Sequence, residues 1–400
     1  MTEMLAGITV LELGQVIAGT YVGTLLADMG AEVIKVEPLT GDTARNATIA
    51  PMAGESTIHL CVNRGKQSVA IDLKQDRGRA LFLDLVASAD VVLDNFRPGV
   101  LARLGIDDAA LRAVKPDIVT VSVTGFGEDG PARDRPAFDL VVQAYAGHLS
   151  ITGEPDRPPS RVGTPLADLG ASLFACIAVL GGLCGRLLHG GGRHVDVAML
   201  DSLVSLLGYD AVNHLNTGET ATRHGTAHAH IVPWQSFAVL DGYVVVAARD
   251  QKFWNALCEM IDRPDLRDDP RTADNAARVA NRELVTATLE ASFANRCRDE
   301  LLEALDAHGV PAAPVNDLGE VFADPQVVAR GLVQTYDHPR VGPVRYAASP
   351  LRRRPADGPH AHAPMLGEHT ARVLRERLQL DDTAIDQLAA DRVIGLEEPA

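Results

Sequence analysis

The sequence predicts an α/β protein in which a largely parallel sheet carries helices on its faces. Strand-like and helix-like segments alternate through the first 125 residues, which is the pattern of parallel sheets. Hydrophobic residues make up 46% of the chain, so there is ample material for a buried core. Near residue 226 the pattern changes to a hairpin followed by charge-rich helical sequence, which indicates a second, smaller α+β domain.

Five short segments are predicted strands because they are rich in β-branched residues and most of them end in turn formers. They are Ile8–Leu13, Glu32–Glu37, Ser68–Leu73, Asp90–Asn95 and Ile118–Val123. Residues 125–165 are rich in glycine and proline and are predicted to form irregular loops, which often carry function. The apolar residues 169–184 are too few to span a bilayer, so we predict a buried core helix there.

Three segments define the predicted domains. Residues 1–225 form the first part of the large domain, residues 226–325 form the small domain, and residues 326–400 return to the large domain. The small domain contains a hairpin over Phe237–Ala247 that turns at Asp241–Gly242. In the tail, Arg352–Arg354 are expected in a solvated loop, and one helix is predicted over Gly367–Leu378.

Charge and cysteine content restrict the possible partners. The chain has 37 basic and 53 acidic residues, a formal charge of −16, whereas a nucleic-acid binder needs a basic face. The five cysteines are scattered, which disfavours a disulfide framework or a zinc ribbon, and no signal peptide is evident. We therefore expect a cytoplasmic protein without a metal, a nucleic-acid partner or a membrane partner.

The common nucleotide-binding and hydrolase motifs are not present. Gly14, Gly19 and Gly23 follow the first strand, but their spacing is not the Gly-x-Gly-x-x-Gly of dinucleotide-binding domains. The chain also lacks a P-loop and the Gly-x-Ser-x-Gly of serine hydrolases. His224, His228 and His230 cluster in sequence, but they have no acidic or cysteine ligands at metal-like spacing.

Two polar segments carry more information. Asn95–Gly99 follows an apolar strand, at the sheet edge where open α/β proteins bind ligands, although it is equally explained as a polar turn before a helix. The glycine-rich loop Gly125–Pro131 precedes Arg133–Asp139, whose two arginines suit phosphate recognition. Exposed loop arginines are common, so this second segment is weak evidence for a phosphate site when it is taken alone.

Asp168 stands at the start of the apolar helix, directly after Gly163–Ala167. The simple explanation is an N-cap that accepts a hydrogen bond from an amide of the first helical turn. The alternative is a nucleophile. The helix behind it consists almost wholly of small apolar residues, so its start is expected to be buried, and the helix dipole and amide donors would keep the carboxylate ionised.

Motifs along nearly the whole chain resemble the class III coenzyme A-transferases of the CaiB–BaiF type. The motifs that carry this resemblance, in chain order, are Leu5–Gly14, Leu26–Glu37, Asn63–Lys66, Asn95–Gly99, Pro165–Asp168, Asp269–Arg271, Gly309–Pro311, Asp324–Gln326 and Leu366–His369. The resemblance implies a Rossmann-like large domain built from both chain ends, a small domain between them, and an interlocked homodimer.

The resemblance also implies the site residues. The family nucleophile falls on Asp168. The family contacts to coenzyme A fall on Gln15, Val16, Ile17, Ala18, Ile71, Asp72, Leu73, Lys74, Asn95, Phe96, Arg97, Arg103, Leu104, Arg135, Phe138 and Asp139. Acyl-CoA and small carboxylic acids are the implied substrates, with no permanently bound cofactor.

Several positions depart from particular branches of the family. Gln15 stands where formyl-CoA transferases often have histidine, Pro38 replaces their arginine, and Thr226–His230 replaces their tetraglycine loop, so formyl-CoA and oxalate are not expected substrates. The related α-methylacyl-CoA racemases pair an aspartate with a histidine, and that histidine falls on Phe138, which cannot act as a base. A racemase and a non-catalytic acyl-CoA-binding protein remain the alternatives.

We therefore predict transfer of coenzyme A through an anhydride and a thioester of Asp168. Family habit suggests succinyl-CoA as donor and a dicarboxylate such as mesaconate, itaconate or a glutarate derivative as acceptor. His228, His230 or Arg64 could supply positive charge for the distal carboxylate of that acceptor.

Overall fold

The computed structural model describes residues 4–46, 51–351 and 361–397, so the predicted solvated loop at Arg352–Arg354 lies outside the described residues. The chain divides into two compact units. The first comprises Met1–His148, Val162–Gly218 and Gln326–Ala400, and the second comprises Leu149–Arg161 and Glu219–Pro325. The short segment before residue 162 therefore groups with the smaller unit.

Strands and helices are numbered separately in chain order. The strands are β1 Thr9–Glu12, β2 Glu32–Glu37, β3 Gln67–Ile71, β4 Val91–Asp94, β5 Val119–Thr124, β6 Arg193–Ala198, β7 Trp234–Val239, β8 Gly242–Ala247, β9 Ala312–Pro314, β10 Val333–His338, β11 Gly342–Ala347 and β12 Ile394–Gly395. The helices are α1 Thr20–Asp28, α2 Thr57–Val62, α3 Asp76–Val86, α4 Val100–Leu104, α5 Asp108–Val114, α6 Asp139–Tyr145, α7 His148–Ile151, α8 Leu166–His189, α9 Met199–Leu206, α10 Tyr209–Thr217, α11 Gln251–Met260, α12 Asp265–Asp268, α13 Asn275–Ala280, α14 Arg282–Phe293, α15 Arg298–Ala307, α16 Leu318–Ala323, α17 Pro325–Ala329, α18 Thr370–Leu378 and α19 Asp382–Ala390.

The large unit is built on a seven-stranded sheet of order β12-β3-β2-β1-β4-β5-β6. Strands β1 to β6 are all parallel to their neighbours, while β12 is antiparallel to β3 and so joins the chain's last strand to the sheet edge. All five strands predicted in the first 125 residues are present, and the α/β class with a large parallel sheet is confirmed. The strand order reverses between β1 and β4, which creates a crevice at the carboxyl ends of these strands.

Helices cover both faces of this sheet because its strands are apolar on both sides. Adjacent residues of β1 show the division: Val10 packs in a core that includes residues of α1, α8 and α9, whereas Leu11 packs in a core with residues of α3, α18 and α19. Both side chains are fully buried. Burial on both faces explains apolar runs such as Val91–Leu93 in β4, where successive residues are all apolar.

The small unit has its own core. Its three-stranded antiparallel sheet has the order β7-β8-β9, and the predicted hairpin that turns at Asp241–Gly242 is present as β7 and β8. Phe237 from this hairpin meets Phe293 of α14 edge-on with ring centroids 5.4 Å apart, and Trp254 of α11 is fully buried in the same core.

The structure corrects three of the predictions. Residues 125–165 are not wholly irregular, since α6 and α7 lie there, and the tail holds the helix α19 and the hairpin β10–β11 in addition to the predicted helix. Helix α8 has 24 residues, so its length and composition alone would allow it to cross a membrane. Its Ala171, Ala175 and Val179 are nevertheless fully buried in the core of the large unit, as a core helix requires.

Candidate active site

The crevice between β1 and β4 brings together two segments that are about 80 residues apart in sequence. The Gln15 amide donates to Asn95 Oδ1 at 2.8 Å, and Asn95 Nδ2 donates to the Gln15 carbonyl at 2.8 Å. The side-chain amide of Asn95 thus forms two hydrogen bonds with the backbone of Gln15, as a neighbouring β-strand would. This double hydrogen bond joins the turn after β1 to the end of β4, at the place where the strand order predicts a ligand site.

A cavity of about 410 Å³ opens at this crevice. Eleven of the predicted site residues line it: Gln15, Val16, Ile17, Ala18, Asn95, Phe96, Arg97, Arg135, Phe138, Asp139 and Asp168. Pro98, Val100, Val123, Gly125, Arg133, Ala137 and Met199 complete the lining. Met199 directly follows β6 and Gly125 directly follows β5, so the rule that ligands bind at the carboxyl ends of strands could have found both.

Other predicted residues lie outside the lining of this cavity. Ile71 is the last residue of β3, Asp72, Leu73 and Lys74 follow it at the same sheet edge, and Arg103 and Leu104 end α4. Asp72 shapes its own turn, since its carboxylate accepts the Lys74 amide at 3.1 Å and the Gln75 side chain at 3.1 Å. The residues at the end of β3 therefore lie at the same edge of the sheet as the cavity but do not line it.

Arg64, one of the three residues predicted to bind the acceptor acid, is not among the residues that line the cavity. Arg64 is buried in the large unit, where it donates to Asp28 Oδ2 at 2.6 Å and stacks over the Tyr346 ring. Its guanidinium group is thus committed to internal partners. His228 and His230 belong to the small unit, where the His230 amide donates to the His228 ring at 3.0 Å.

Asp168 is the third residue of helix α8, and the helix begins after Pro165, so the explanation of Asp168 as an N-cap is wrong. Capping is done from elsewhere: Asp139 Oδ1 accepts the amides of Ala167 at 2.7 Å and of Asp168 at 3.4 Å. Gln143, which is fully buried, donates to the other Asp139 oxygen at 2.7 Å. Asp139, and not the Asp168 carboxylate, therefore accepts the amides of Ala167 and Asp168.

The environment of Asp168 favours the neutral form of its carboxyl group. Burial, and secondarily the negative charge of Asp139, raise the pKa of Asp168 to about 7. Among the described residues, its carboxylate accepts no hydrogen bond. The expectation that the helix end would keep this group ionised is therefore wrong in its direction, because burial raises the pKa of Asp168 and Asp139 adds a like charge.

Helix α8 can bring Asp168 to the crevice because its inner face consists of small residues. A Cβ atom on Gly182 would lie 2.6 Å from Cγ1 of Val119 in β5, so the helix axis lies close to the sheet. Ser172, one turn after Asp168, donates to the Ala18 carbonyl at 2.6 Å and lies 2.7 Å from the Asp168 carbonyl. This hydroxyl ties the helix to the turn that forms the opposite wall of the cavity.

The rim of the cavity is positively charged. Arg97, Arg133 and Arg135 are exposed and line it, and the Arg135 guanidinium lies over the ring of Tyr145, with 5.2 Å to the ring centroid. Exposed guanidinium groups are suited to phosphate groups. Phe138, which is 76% exposed, also stands at this rim. A partly buried carboxyl group in the wall of an arginine-lined cavity can serve a substrate that carries phosphates at one end and a reactive carbonyl at the other.

A family model described as CoA-transferase family III matches residues 5–370 of the chain. The chain belongs to this family. The recognition of class III coenzyme A-transferase motifs is thereby confirmed, and the protein is an enzyme that transfers coenzyme A.

Curated relatives of this CoA-transferase match over nearly their whole length. Human succinyl-CoA:glutarate CoA-transferase is 36% identical over 98% of this chain and 90% of that protein. Succinate–glutarate CoA-transferase of Agrobacterium fabrum is 38% identical over 96% of this chain and all of that protein. Succinyl-CoA:mesaconate CoA-transferase of Haloarcula hispanica is 37% identical over 92% of this chain and 94% of that protein.

A solved structure agrees with the fold of this CoA-transferase. The crystal structure of a CaiB/BaiF family protein from Brucella suis superposes with a TM-score of 0.82 and 38% sequence identity, and covers 93% of this chain and 98% of that one. The cavity described above therefore lies on a scaffold that this family shares.

Proposed function

We propose that the enzyme moves coenzyme A from succinyl-CoA to a second dicarboxylic acid, with Asp168 as the nucleophile. The observation that carries this proposal is the Asp168 carboxyl group in the wall of a cavity whose rim holds three arginines. The arginines suit the phosphates of coenzyme A, and the carboxyl group lines the same cavity. The names of the relatives support glutarate and mesaconate as acceptors, and itaconate has related chemistry.

In the first half of the reaction, Asp168 changes from a carboxylate to a thioester. An oxygen of its carboxylate attacks the donor carbonyl carbon. The carbon–sulfur bond breaks, coenzyme A leaves as a thiolate, and a mixed anhydride of Asp168 and succinate remains. The thiolate then attacks the Asp168 carbonyl carbon. The carbon–oxygen bond of the anhydride breaks, succinate leaves as a carboxylate, and an aspartyl thioester remains.

In the second half, the acceptor carboxylate retraces these steps. It attacks the aspartyl thioester and releases the thiolate, which then attacks the acceptor carbonyl of the new anhydride. The products are the acceptor acyl-CoA and the regenerated Asp168 carboxylate, with no net gain or loss of protons. Because both intermediates are open to hydrolysis, the enzyme has to keep water away from Asp168, and its position in a partly buried wall serves that need.

Recognition of the distal carboxylate of the acceptor is assigned to His228 and His230. Their rings lie 6.2 Å apart in the small unit, and His230 is exposed. A His228→Ala, His230→Ala double variant should raise the KM for the acceptor acid and leave the KM for succinyl-CoA unchanged. An unchanged KM for the acceptor would remove these residues from the proposal. Arg64 is buried and paired with Asp28, so it is a weaker candidate for this role.

An interlocked homodimer in the cytoplasm is part of the proposal. Large apolar side chains stand exposed on α8 and α10 of the single chain, for example Leu187 at 85% and Leu215 at 81% exposure. Such residues need cover, and a second copy of the chain would provide it. Light scattering should give the mass of two chains. Differently tagged dimers should not exchange subunits unless they are first unfolded, whereas rapid exchange would rule out interlocking.

The test of the proposed chemistry is trapping of the aspartyl intermediate. The protein is incubated with succinyl-CoA, treated with hydroxylamine or borohydride, and mapped by peptide mass spectrometry. We expect modification of the peptide that contains Asp168 and none in an Asp168→Ala variant. An unmodified Asp168 during measurable exchange would overturn the covalent route. If solvent deuterium enters a 2-methylacyl-CoA instead, the enzyme is a racemase.

A further inference from the structure

The turn between β1 and α1 holds a residue in an unfavourable conformation at the wall of the cavity. Val16 has a φ of +62°, in the left-handed region that β-branched residues rarely adopt. Its side chain is 40% exposed, so core packing does not force this conformation. Backbone strain of this kind persists only where surrounding contacts impose it, and it is concentrated at functional sites.

Asp42 contacts this strained residue through its backbone amide. Its two carboxylate oxygens lie 3.1 and 3.2 Å from the Val16 amide nitrogen and accept its hydrogen bond. The Asp42 side chain is fully buried, and its Oδ2 lies 3.0 Å from the Lys35 ammonium group. Lys35 in turn donates to the Gly14 carbonyl at 2.6 Å. The Asp42–Lys35 ion pair therefore binds the backbone of the turn on both sides of Gln15, at the Val16 amide and at the Gly14 carbonyl.

Two further charges complete a buried ion cluster, which consists of Glu12, Lys35, Asp42 and Lys66. Glu12 accepts from Lys35 at 3.2 Å and from Lys66 at 2.8 Å, and all four side chains are fully buried or nearly so. Lys66 also donates to the carbonyl of Thr20, the first residue of α1, at 2.6 Å. Burying four charges carries a large desolvation cost. Stabilisation of the fold alone is therefore a poor explanation for this ion cluster.

The contacts of the buried ion cluster converge on the backbone of residues 14–20. They reach the Gly14 carbonyl, the Val16 amide and the Thr20 carbonyl. Beyond Val16, the Ala18 carbonyl accepts from Ser172, whose hydroxyl also lies 2.7 Å from the Asp168 carbonyl. A continuous set of contacts therefore runs from Asp42 through the strained turn to the helix that carries Asp168.

We propose that Asp42 and Lys35 are positioning residues, which hold the turn Gly14–Ala18 at the correct distance from Asp168 for coenzyme A transfer. This inference rests on the proposed function, because it assigns the turn and Asp168 to one reaction. The backbone shape of the turn, and not the Val16 side chain, is what these residues supply. Their loss should therefore affect turnover more than substrate binding.

The test compares Asp42→Ala with a matched control, Asp90→Ala. Asp90 also accepts a backbone amide, that of Thr9 at 2.8 Å, and pairs with an arginine, Arg186 at 2.8 Å, but it lies at the opposite edge of the same sheet. We expect Asp42→Ala to lower kcat by about tenfold or more and to change the KM for acyl-CoA by less than about threefold. Asp90→Ala should leave kcat unchanged. Equal losses in the two variants would overturn the proposal.

A Val16→Gly background tests whether Asp42 acts through the strained residue. Glycine adopts a positive φ without strain, so Asp42 has less to impose on the backbone there. In this background we expect Asp42→Ala to lower kcat by less than about threefold, a non-additive result. Full additivity would contradict the proposal. If Asp42→Ala does not fold, the milder Asp42→Asn, which retains one acceptor oxygen, takes its place in the same cycle.

Hydrogen exchange separates failure of this inference from failure of the proposed function. Amides of residues 14–20 should exchange faster in Asp42→Ala than in the unmodified enzyme, and Asp90→Ala should leave them unchanged. Unchanged exchange in Asp42→Ala would overturn the inference even if transfer activity is found. Absence of transfer activity from the unmodified enzyme, with every dicarboxylate offered, would instead overturn the proposed function.

Discussion

The Asp139 carboxylate accepts the backbone amide of Ala167 at 2.7 Å and thereby caps the helix that carries Asp168. This arrangement places the two carboxyl groups in opposite environments. Asp139 takes the stabilising amides of the helix end, while Asp168 is left partly buried beside a like charge, and its pKa rises to about 7. A carboxylate that is poorly stabilised in the resting enzyme is a stronger nucleophile once it is ionised.

The first prediction concerns the pH dependence of transfer. Because the proposed nucleophile Asp168 has to be ionised and its pKa is about 7, kcat/KM should fall as the pH drops below 7 and level off above it. At one pH unit below the pKa, only about a tenth of the group is ionised, so kcat/KM should be about tenfold below its plateau. Initial rates at saturating acceptor and limiting succinyl-CoA measure this profile. A flat profile from pH 5 to 8 would contradict it.

Asp139→Asn should move the acidic limb of this profile. Asparagine keeps an oxygen that can accept the Ala167 amide, but it removes the negative charge that raises the pKa of Asp168. We expect the limb to shift toward lower pH, whereas a purely structural role for Asp139 would lower the whole profile without moving it. Gln143→Leu serves as a control, since it removes the donor to Asp139 without changing any charge.

The fold of the large unit was predictable because its information is local. Each strand from β1 to β5 is a short β-branched run, and the strand ends locate the crevice through the topological rule for parallel sheets. Asn95 could therefore be placed at a ligand-binding sheet edge from this rule, whereas Gln15 was assigned to the site only through the family resemblance. By contrast, the seven-residue helix α6 lies among loops and is too short to show a clear period.

The chemistry of the site was less predictable because it depends on contacts between distant residues. Asp168 is preceded by turn residues and followed by an apolar helix, which is the pattern of an N-cap, yet the cap is provided by Asp139, 29 positions before Asp168. Nothing local in the sequence shows that exchange, so the direction of the pKa shift was missed. The hydrogen bond from the Val16 amide to Asp42 joins residues that are 26 positions apart, so no local sequence pattern predicts it either.

Asp168 should also destabilise the fold at neutral pH. A carboxyl group whose pKa is higher in the folded than in the unfolded state binds protons preferentially in the folded state, so stability is lost as pH rises from about 4 to about 7. The loss is at most about 4 kcal/mol, at about 1.4 kcal/mol per pKa unit, and less because the group is partly accessible to solvent. Asp168→Asn should therefore raise the Tm at pH 8.

The pH dependence of that gain is its check. The difference in Tm between Asp168→Asn and the unmodified enzyme should grow from pH 4 to pH 7 and then remain constant. Asp84→Asn, on the exposed side of α3, is a control for the loss of one carboxylate and should give no such trend. A gain of equal size at pH 4 and pH 8 would mean that charge burial is not its cause.

The close approach of helix α8 to the sheet provides the last prediction. A Cβ atom on Gly182 would lie 2.6 Å from Cγ1 of Val119, which is fully buried in β5, so Gly182→Ala should destabilise the protein by about 1–3 kcal/mol through overpacking. Val119→Ala alone should also destabilise it, because it leaves a cavity. In the double variant the new methyl group occupies the space that valine leaves. Thermal melting of the four proteins should therefore give a combined loss smaller than the sum of the two single losses. A strictly additive loss would show that the helix moves away from the strand rather than clashing with it, and Asp168 would then move with the helix.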